Sequence, residues 1–262
     1  WEEMHRDIEF QNANFWYKEG ETILKDFNLT VKKGENIALV GETGSGKSTI
    51  VNLLCRFYEP SSGKILIDEI DYKKRSQSWL HSNLGYVLQS PHLFSGTIID
   101  NIRYGNINIS DEEVISSAKL VNAHNFIMKL ENGYYTEVGE GGAMLSTGEK
   151  QLISFARAII SKPKLFVLDE ATSSIDTETE ALIQDAIHKV LEGRTSFVIA
   201  HRLSTIRNAD KILVIKKGFV VESGTHQELM SKKGYYYKLY TKQFVEEKET
   251  EIFGRNYEAV NS

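Results

Sequence analysis

Apolar and polar residues alternate over residues 7 to 12 and again over 27 to 31. That is the period of strands with one buried face, and it predicts an antiparallel opening layer. Lys33-Gly34-Glu35 then turns the chain into Ile37-Ala38-Leu39-Val40, a continuous apolar run of the kind expected for a central parallel strand covered on both sides. A helix is predicted next, because Ile50, Leu53, Leu54 and Phe57 recur three and four apart and so share one helical face. Residues 63 to 68 and 85 to 88 are further strand candidates.

The middle of the chain changes character. Residues 97 to 103 and 110 to 130 are helical in pattern, and Ser110 with Glu113 has the spacing at which a hydroxyl and a carboxylate each satisfy an orphan amide. From Ser146 the helical periodicity runs to Ile160, and Pro163 stops it. There follow a strand over 165 to 168, a helix over 177 to 191 and a strand over 195 to 200. A short helix comes next, then a hairpin of residues 211 to 215 and 219 to 222 around Lys217-Gly218, then a helical stretch from 225 to about 244. Strands alternating with helices imply βαβ units and a mostly parallel sheet. The expected organisation is one α/β domain over 1–262. Its core and β layer take about 7–89 and 164–244, an inserted α-helical subdomain takes about 90–163, and 245–262 form a Glu-rich solvated tail.

Composition narrows the function classes. With 41% apolar and 26% charged positions in 262 residues, the chain can bury a full-sized core. Its apolar runs fall far short of the ~20 residues that cross hydrocarbon. The net charge is −5 and the 31 basic residues are scattered, so a nucleic-acid partner has no electrostatic footprint. One cysteine, Cys55, and no signal peptide point to a reducing compartment. The first residue is Trp1 rather than Met, which suggests a fragment of a longer polypeptide.

Chemistry concentrates at two places. Gly41-Glu42-Thr43-Gly44-Ser45-Gly46-Lys47-Ser48 fits the phosphate-binding loop pattern, directly after a predicted strand and before a predicted helix, the context that confirms it. Glycines let backbone N–H groups and the helix N-terminus converge on phosphate oxygens. Lys47 is expected on the β and γ phosphates, Ser48 on Mg²⁺, and Thr49 next to them in the nucleotide site. Leu165-Phe166-Val167-Leu168-Asp169-Glu170 is an apolar strand ending in two carboxylates, at the end where open α/β sheets bind ligands. Asp169 is expected to hold Mg²⁺ through its water, and Glu170 to serve as general base or orienting group for the attacking water.

Leu145-Ser146-Thr147-Gly148-Glu149-Lys150-Gln151 resembles the signature motif of ATP-binding-cassette (ABC) ATPases, and further matches keep that family's order. Tyr17 matches the aromatic that stacks on adenine, Gln89 the Q-loop glutamine, Ser174-Ile175-Asp176 the D-loop and His201 the switch histidine. The likeness covers roughly residues 7 to 243. It implies a P-loop NTPase core of the RecA-like kind and a catalytic set of Glu170, His201, Gln89 and Lys47, with Ser48, Gln89 and Asp169 toward Mg²⁺. Ser146 at a helix N-cap, with the amides of Thr147 and Gly148, is an anion site of the P-loop kind. By resemblance it grips the γ-phosphate of an ATP held by a second nucleotide-binding domain, and Glu149 belongs to the same signature motif acting in trans. His201 and Glu170 end their strands and are expected to point into the same crevice.

Glu137-Val138-Gly139-Glu140-Gly141-Gly142 is similar to the X-loop of exporters. Gly148-Glu149-Lys150-Gln151 is similar to that of half-transporters of the mitochondrial and heavy-metal-tolerance type, with multidrug-resistance exporters close to them. The resemblance implies ATP and Mg²⁺ as cofactors, a head-to-tail ATP-dependent dimer, and a transmembrane domain of the same or a partner polypeptide. The domain would then sit on the cytosolic or organelle-matrix face of a membrane. Thr147 and Glu149 depart from the common signature: a β-branched side chain stands where backbone approaches phosphate, and a carboxylate adds repulsion toward triphosphate unless it points away. Three rival readings fit the sequence less well. A chromosome-organising clamp needs a coiled coil for which the spacing between Lys47 and Ser146 leaves no room. A nucleotide-gated interaction module has no use for Glu170 and His201. A small-molecule kinase gives no reason for Ser146 and His201.

Overall fold

The computed structural model describes residues 4, 7–170 and 175–245. Two sheets lie in sequence-interleaved order. The smaller is antiparallel, β2-β1-β4-β5, built from β1 (Ile8–Trp16), β2 (Thr22–Val31), β4 (Ser62–Ile67) and β5 (Ile70–Asp71). The larger runs β10-β9-β3-β8-β7-β6, from β3 (Asn36–Val40), β6 (Leu84–Val87), β7 (Leu165–Asp169), β8 (Thr195–Ile199), β9 (Lys211–Lys216) and β10 (Phe219–Gly224). Only β10 is antiparallel to its neighbour. The α/β class, the antiparallel layer and the mostly parallel core all match the expectation from sequence.

The large sheet is covered on both faces, which is why its strands carry unbroken apolar runs. Alternate side chains enter different cores. Ile37, Leu39, Leu165, Val167, Phe197 and Ile199 pack with the antiparallel layer and with α1 (Lys47–Leu54) and α2 (Gln77–Ser82). Ala38, Val40, Phe166, Leu168 and Val198 pack instead with residues of α3 (Ile98–Arg103), α4 (Asp111–Leu120), α5 (His124–Ile127), α6 (Thr147–Ile159), α7 (Thr177–Leu191) and α8 (Leu203–Asn208). At about 25 cal/mol per Å² of apolar area removed from water, these two layers supply the main drive for folding.

Three helix expectations need correction. The first helix ends at Leu54 with Cys55 as its cap, so Phe57 lies outside it and is half exposed. The stretch 110 to 130 is two helices, broken where Asn122 takes φ +64°. Ser110 caps α4 by accepting from Glu113 N at 3.4 Å, but the Glu113 carboxylate goes to Lys162 at 3.6 Å, so no reciprocal box forms. The stretch 225 to 244 divides likewise into α9 (His226–Lys232) and a last helix over residues 235–245, separated at Lys233 with φ +52°. Capping and periodicity expose helical faces, but single left-handed residues leave little mark on a pattern. The expected tail beyond residue 245 lies outside the described residues.

Strand order fixes where chemistry can occur. β3 is central, yet the next strand of this sheet in sequence is β6, at the far edge, and β7 and β8 then return toward β3. The carboxyl ends of β3, β8 and β7 are level. Leu39 pairs with Ile199 and Asp169 with Ile199, and the chain beyond continues the ladder, with Ala200 N donating to Leu39 O at 3.3 Å and Glu170 N to Ile199 O at 3.1 Å. The loop after β3, the two acids after β7 and the histidine after β8 therefore emerge side by side at one edge, where ligands bind in open α/β sheets.

Candidate nucleotide site

Gly41 leaves β3 under tight constraint: a Cβ there would stand 2.2 Å from Ile215 O, so only glycine lets the loop turn against β9. The loop returns to α1 through Gly46, which caps the helix with no side chain, and the first turn carries no acid. No side chain caps its leading amides, which leaves them available to an anion. Ser45 Oγ is buried with no hydrogen-bond partner among the described residues. Lys47, only 7% exposed, donates from Nζ to Gly41 O at 2.7 Å and Glu42 O at 2.9 Å. Its ammonium is held at the loop's own mouth. Thr43, Gly44 and Ser48 are exposed and Thr49 is buried, its hydroxyl 3.4 Å from Tyr17 OH. Tyr17 follows β1, is about half exposed at 49%, and stacks edge-on against Phe15 and Tyr58. A core role for this ring is excluded, and an open aromatic face remains.

Lys47, Asp169 and His201 form an electrostatic cluster. Burial pushes the Lys47 ammonium below its ordinary pKa, opposed by Asp169. Burial raises Asp169, opposed by Lys47. His201 is lowered by burial and then by Lys47, so it is neutral at pH 7. Gln89, two residues past β6, is exposed. Ser48, Asp169 and Gln89 are hard oxygen donors suited to Mg²⁺, and no group of three His, Cys, Asp or Glu among the described residues makes a closed metal cage. That donor set fits an ion that keeps waters and phosphate oxygens as ligands.

Glu170 differs from expectation. It does not open into the crevice beside His201; it is fully buried. Its Oε2 accepts from His201 N at 2.9 Å and Arg202 N at 3.0 Å, and its Oε1 accepts from Thr205 Oγ1 at 2.7 Å with Arg202 Nε at 3.6 Å. Burial raises its pKa, opposed first by Thr205 and then by the His201 amide and Arg202. Every partner is a donor, so the arrangement accommodates the ionised carboxylate.

Ser146 caps α6 as expected. It accepts from Glu149 N at 3.3 Å, and the Glu149 carboxylate accepts from Ser146 N at 2.8 Å. Glu149 therefore folds back over the helix start. Thr147 is exposed. Gly148 is buried against α7, where a Cβ would stand 2.3 Å from Thr179 Cγ2. Asp176 caps α7 by accepting from Thr179 N at 2.9 Å, which holds its pKa down; Ser174 lies outside the described residues. Residues that pattern reading did not single out are Thr205 and Arg202, which hold Glu170, and Gln243, whose side chain donates to His201 O from the last helix. The return of β8 beside β7 brings Arg202 and Thr205 there, and the last helix brings Gln243.

A phosphate loop with free helix amides, a buried lysine and strand-end acids at a sheet switch point define a P-loop nucleoside triphosphatase. Comparison with known proteins narrows this. The family description ABC transporter matches residues 24–173. The chain is 52% identical over 90% of its length to the ABC transporter ATP-binding protein YfiC of Bacillus subtilis, and 52% identical over 89% to that organism's probable multidrug resistance ATP-binding/permease protein YheH. It superposes on a bacterial Atm1-family ABC exporter with ATP bound at TM-score 0.85 and 42% identity, covering 91% of this chain and 42% of that one. It covers 39% and 35% of the two Bacillus proteins. The chain belongs to the ABC transporter family, and its relatives' matching part is described as ATP-binding. Among the described residues no helix is long and apolar enough to cross a membrane.

Proposed function

We propose that this chain is the motor of an exporter, closing head-to-tail with a second nucleotide-binding domain around two Mg-ATP and reopening after hydrolysis to drive a membrane-spanning partner. The observation that supports the reading is the placing of Asp169, Glu170 and His201 at the level ends of β7 and β8, beside the uncapped helix whose first residue is Lys47. YheH, a relative described as an ATP-binding/permease protein, supports a transmembrane partner on the same or an associated polypeptide. Membrane association through that partner, on the cytosolic or matrix side, belongs to the same proposal.

In this reading the amides from Glu42 to Thr49 cradle the triphosphate, Lys47 leaves its loop carbonyls for the β and γ phosphates, and Tyr17 stacks on adenine. Ser48, Asp169 and Gln89 would hold Mg²⁺, which when bound with the nucleotide offsets phosphate charge. Neutral His201 donates to the γ-phosphate, and Glu170 accepts the proton of the attacking water. Ser146, Thr147, Gly148 and Glu149 face the nucleotide of the partner domain, with Asp176 at the contact between the two. Glu170→Gln is expected to bring phosphate release to background while ATP converts the chain to a dimer on size exclusion. Native turnover by that variant would remove Glu170 from its role.

A further inference from the structure

The carboxylate assigned as base cannot touch water where it stands. Glu170 is 0% exposed and both its oxygens are taken by protein donors. Part of that grip is unavoidable, because the amides of His201 and Arg202 lie where β8 ends beside β7. The third donor, Thr205 Oγ1 at 2.7 Å, comes from the middle of α8 and is a matter of side-chain choice. α8 is itself tied to α7. Ser204 Oγ donates to Gln184 at 2.9 Å, Gln184 donates to Glu180 at 3.0 Å, and Arg202 reaches both Glu180 and Glu170. Glu170, Arg202, Glu180, Gln184 and Ser204 thus form a chain of polar contacts that returns to Glu170 through Thr205, the residue after Ser204 in α8.

We propose that Thr205 is a positioning residue that parks Glu170: its hydroxyl holds the carboxylate in its buried position when the site is at rest, and Glu170 must leave that hydroxyl to reach an attacking water. The inference rests on Glu170 being the base. A hydrogen bond to a buried carboxylate is stronger than one between neutral groups, so losing it shifts the balance between parked and released positions. Thr205→Val keeps the shape of the side chain and removes the donor. Thr205→Ser keeps the donor.

The test measures how fast a water-soluble carbodiimide with glycine ethyl ester modifies Glu170 in the nucleotide-free chain. Peptide mass spectrometry reads the product, with exposed Glu131 as internal standard. Thr205→Val and Thr205→Ala are expected to raise modification at Glu170 by about tenfold or more, and Thr205→Ser to match the unmodified chain. Thr205→Val should also raise kcat for phosphate release while KM for ATP stays within about twofold. Labelling that does not rise, or a kcat that does not rise while Glu170→Gln is inactive, overturns the proposal. So does loss of the melting transition in both the valine and alanine variants, which would make Thr205 a packing residue. If labelling behaves as expected but Glu170→Gln hydrolyses normally, the base assignment fails and the parking stands.

Discussion

Two helix starts in this molecule are built from similar residues and left in opposite states. α1 begins at Gly46 with no side-chain cap and no acid in its first turn. α6 begins at Ser146 with a complete box, in which Glu149 returns its carboxylate to the Ser146 amide. Both ends carry the partial positive charge of aligned peptides. At α1 that charge is available to a phosphate, and an ammonium sits beside it on the loop's own carbonyls. At α6 the chain supplies its own anion. The contrast separates a helix end left open to an anion from one that already carries a carboxylate of its own; in the proposed head-to-tail dimer the second is the end that would meet a nucleotide across the contact.

The largest effect should come from removing the cation at the open end. Lys47→Ala is expected to weaken ATP by about 2–5 kcal/mol, the cost of truncating one partner of a buried charged contact, which is roughly 30-fold or more. A fluorescent ATP analogue titrated against the chain reads this directly. Binding within about threefold of the unmodified chain would show that the amides of the loop and α1 hold the nucleotide without the ammonium.

At α6 the position most sensitive to an added side chain is Gly148, held by packing, and not position 147, where a phosphate argument expects a small residue. Gly148 is buried against Thr179 in the first turn of α7, so Gly148→Ala overpacks that contact and should cost about 1–3 kcal/mol in urea unfolding. Thr147, where the usual signature has a small residue, is exposed at the first helical position. Thr147→Gly should change stability by less than about 1 kcal/mol and leave phosphate release intact or raised. A large loss of turnover from Thr147→Gly with Gly148→Ala silent would reverse the assignment of the two positions.

Sequence alone carried the sheet classes, the helix start after the Ser146 cap, and the placing of Asp169, Glu170 and His201 at strand ends, because apolar runs and caps are local signals; α1 begins two residues earlier than the predicted helix, at Lys47 inside the phosphate-loop pattern. The parked state of Glu170 was illegible for a physical reason. Its partners are two backbone amides and a threonine more than thirty positions downstream, and none of them has a type that announces a carboxylate contact. The closing of Glu149 onto Ser146 was within reach, since serine and glutamate stand at box spacing. The signature likeness drew attention to phosphate instead. Helix breaks at Asn122 and Lys233 were missed because a left-handed residue interrupts a helix without disturbing its apolar period.

The finest test of the two helix starts changes only charge. Glutamine at position 149 can still return a hydrogen bond to the Ser146 amide, so Glu149→Gln keeps the box and removes the negative group from the end of α6. The isolated chain should lose about 0.3–1 kcal/mol of stability, the share of a carboxylate at a helix N-terminus. In a Glu170→Gln background the same change should favour the ATP-held dimer, because the triphosphate no longer meets a like charge at the partner's helix. The ATP concentration for half-maximal dimer on size exclusion is expected to fall by about two- to fivefold, the same energy expressed as an equilibrium. An unchanged or higher requirement would mean that Glu149 does not compete with nucleotide. The closed state of α6 would then be ordinary capping, with no bearing on dimer formation.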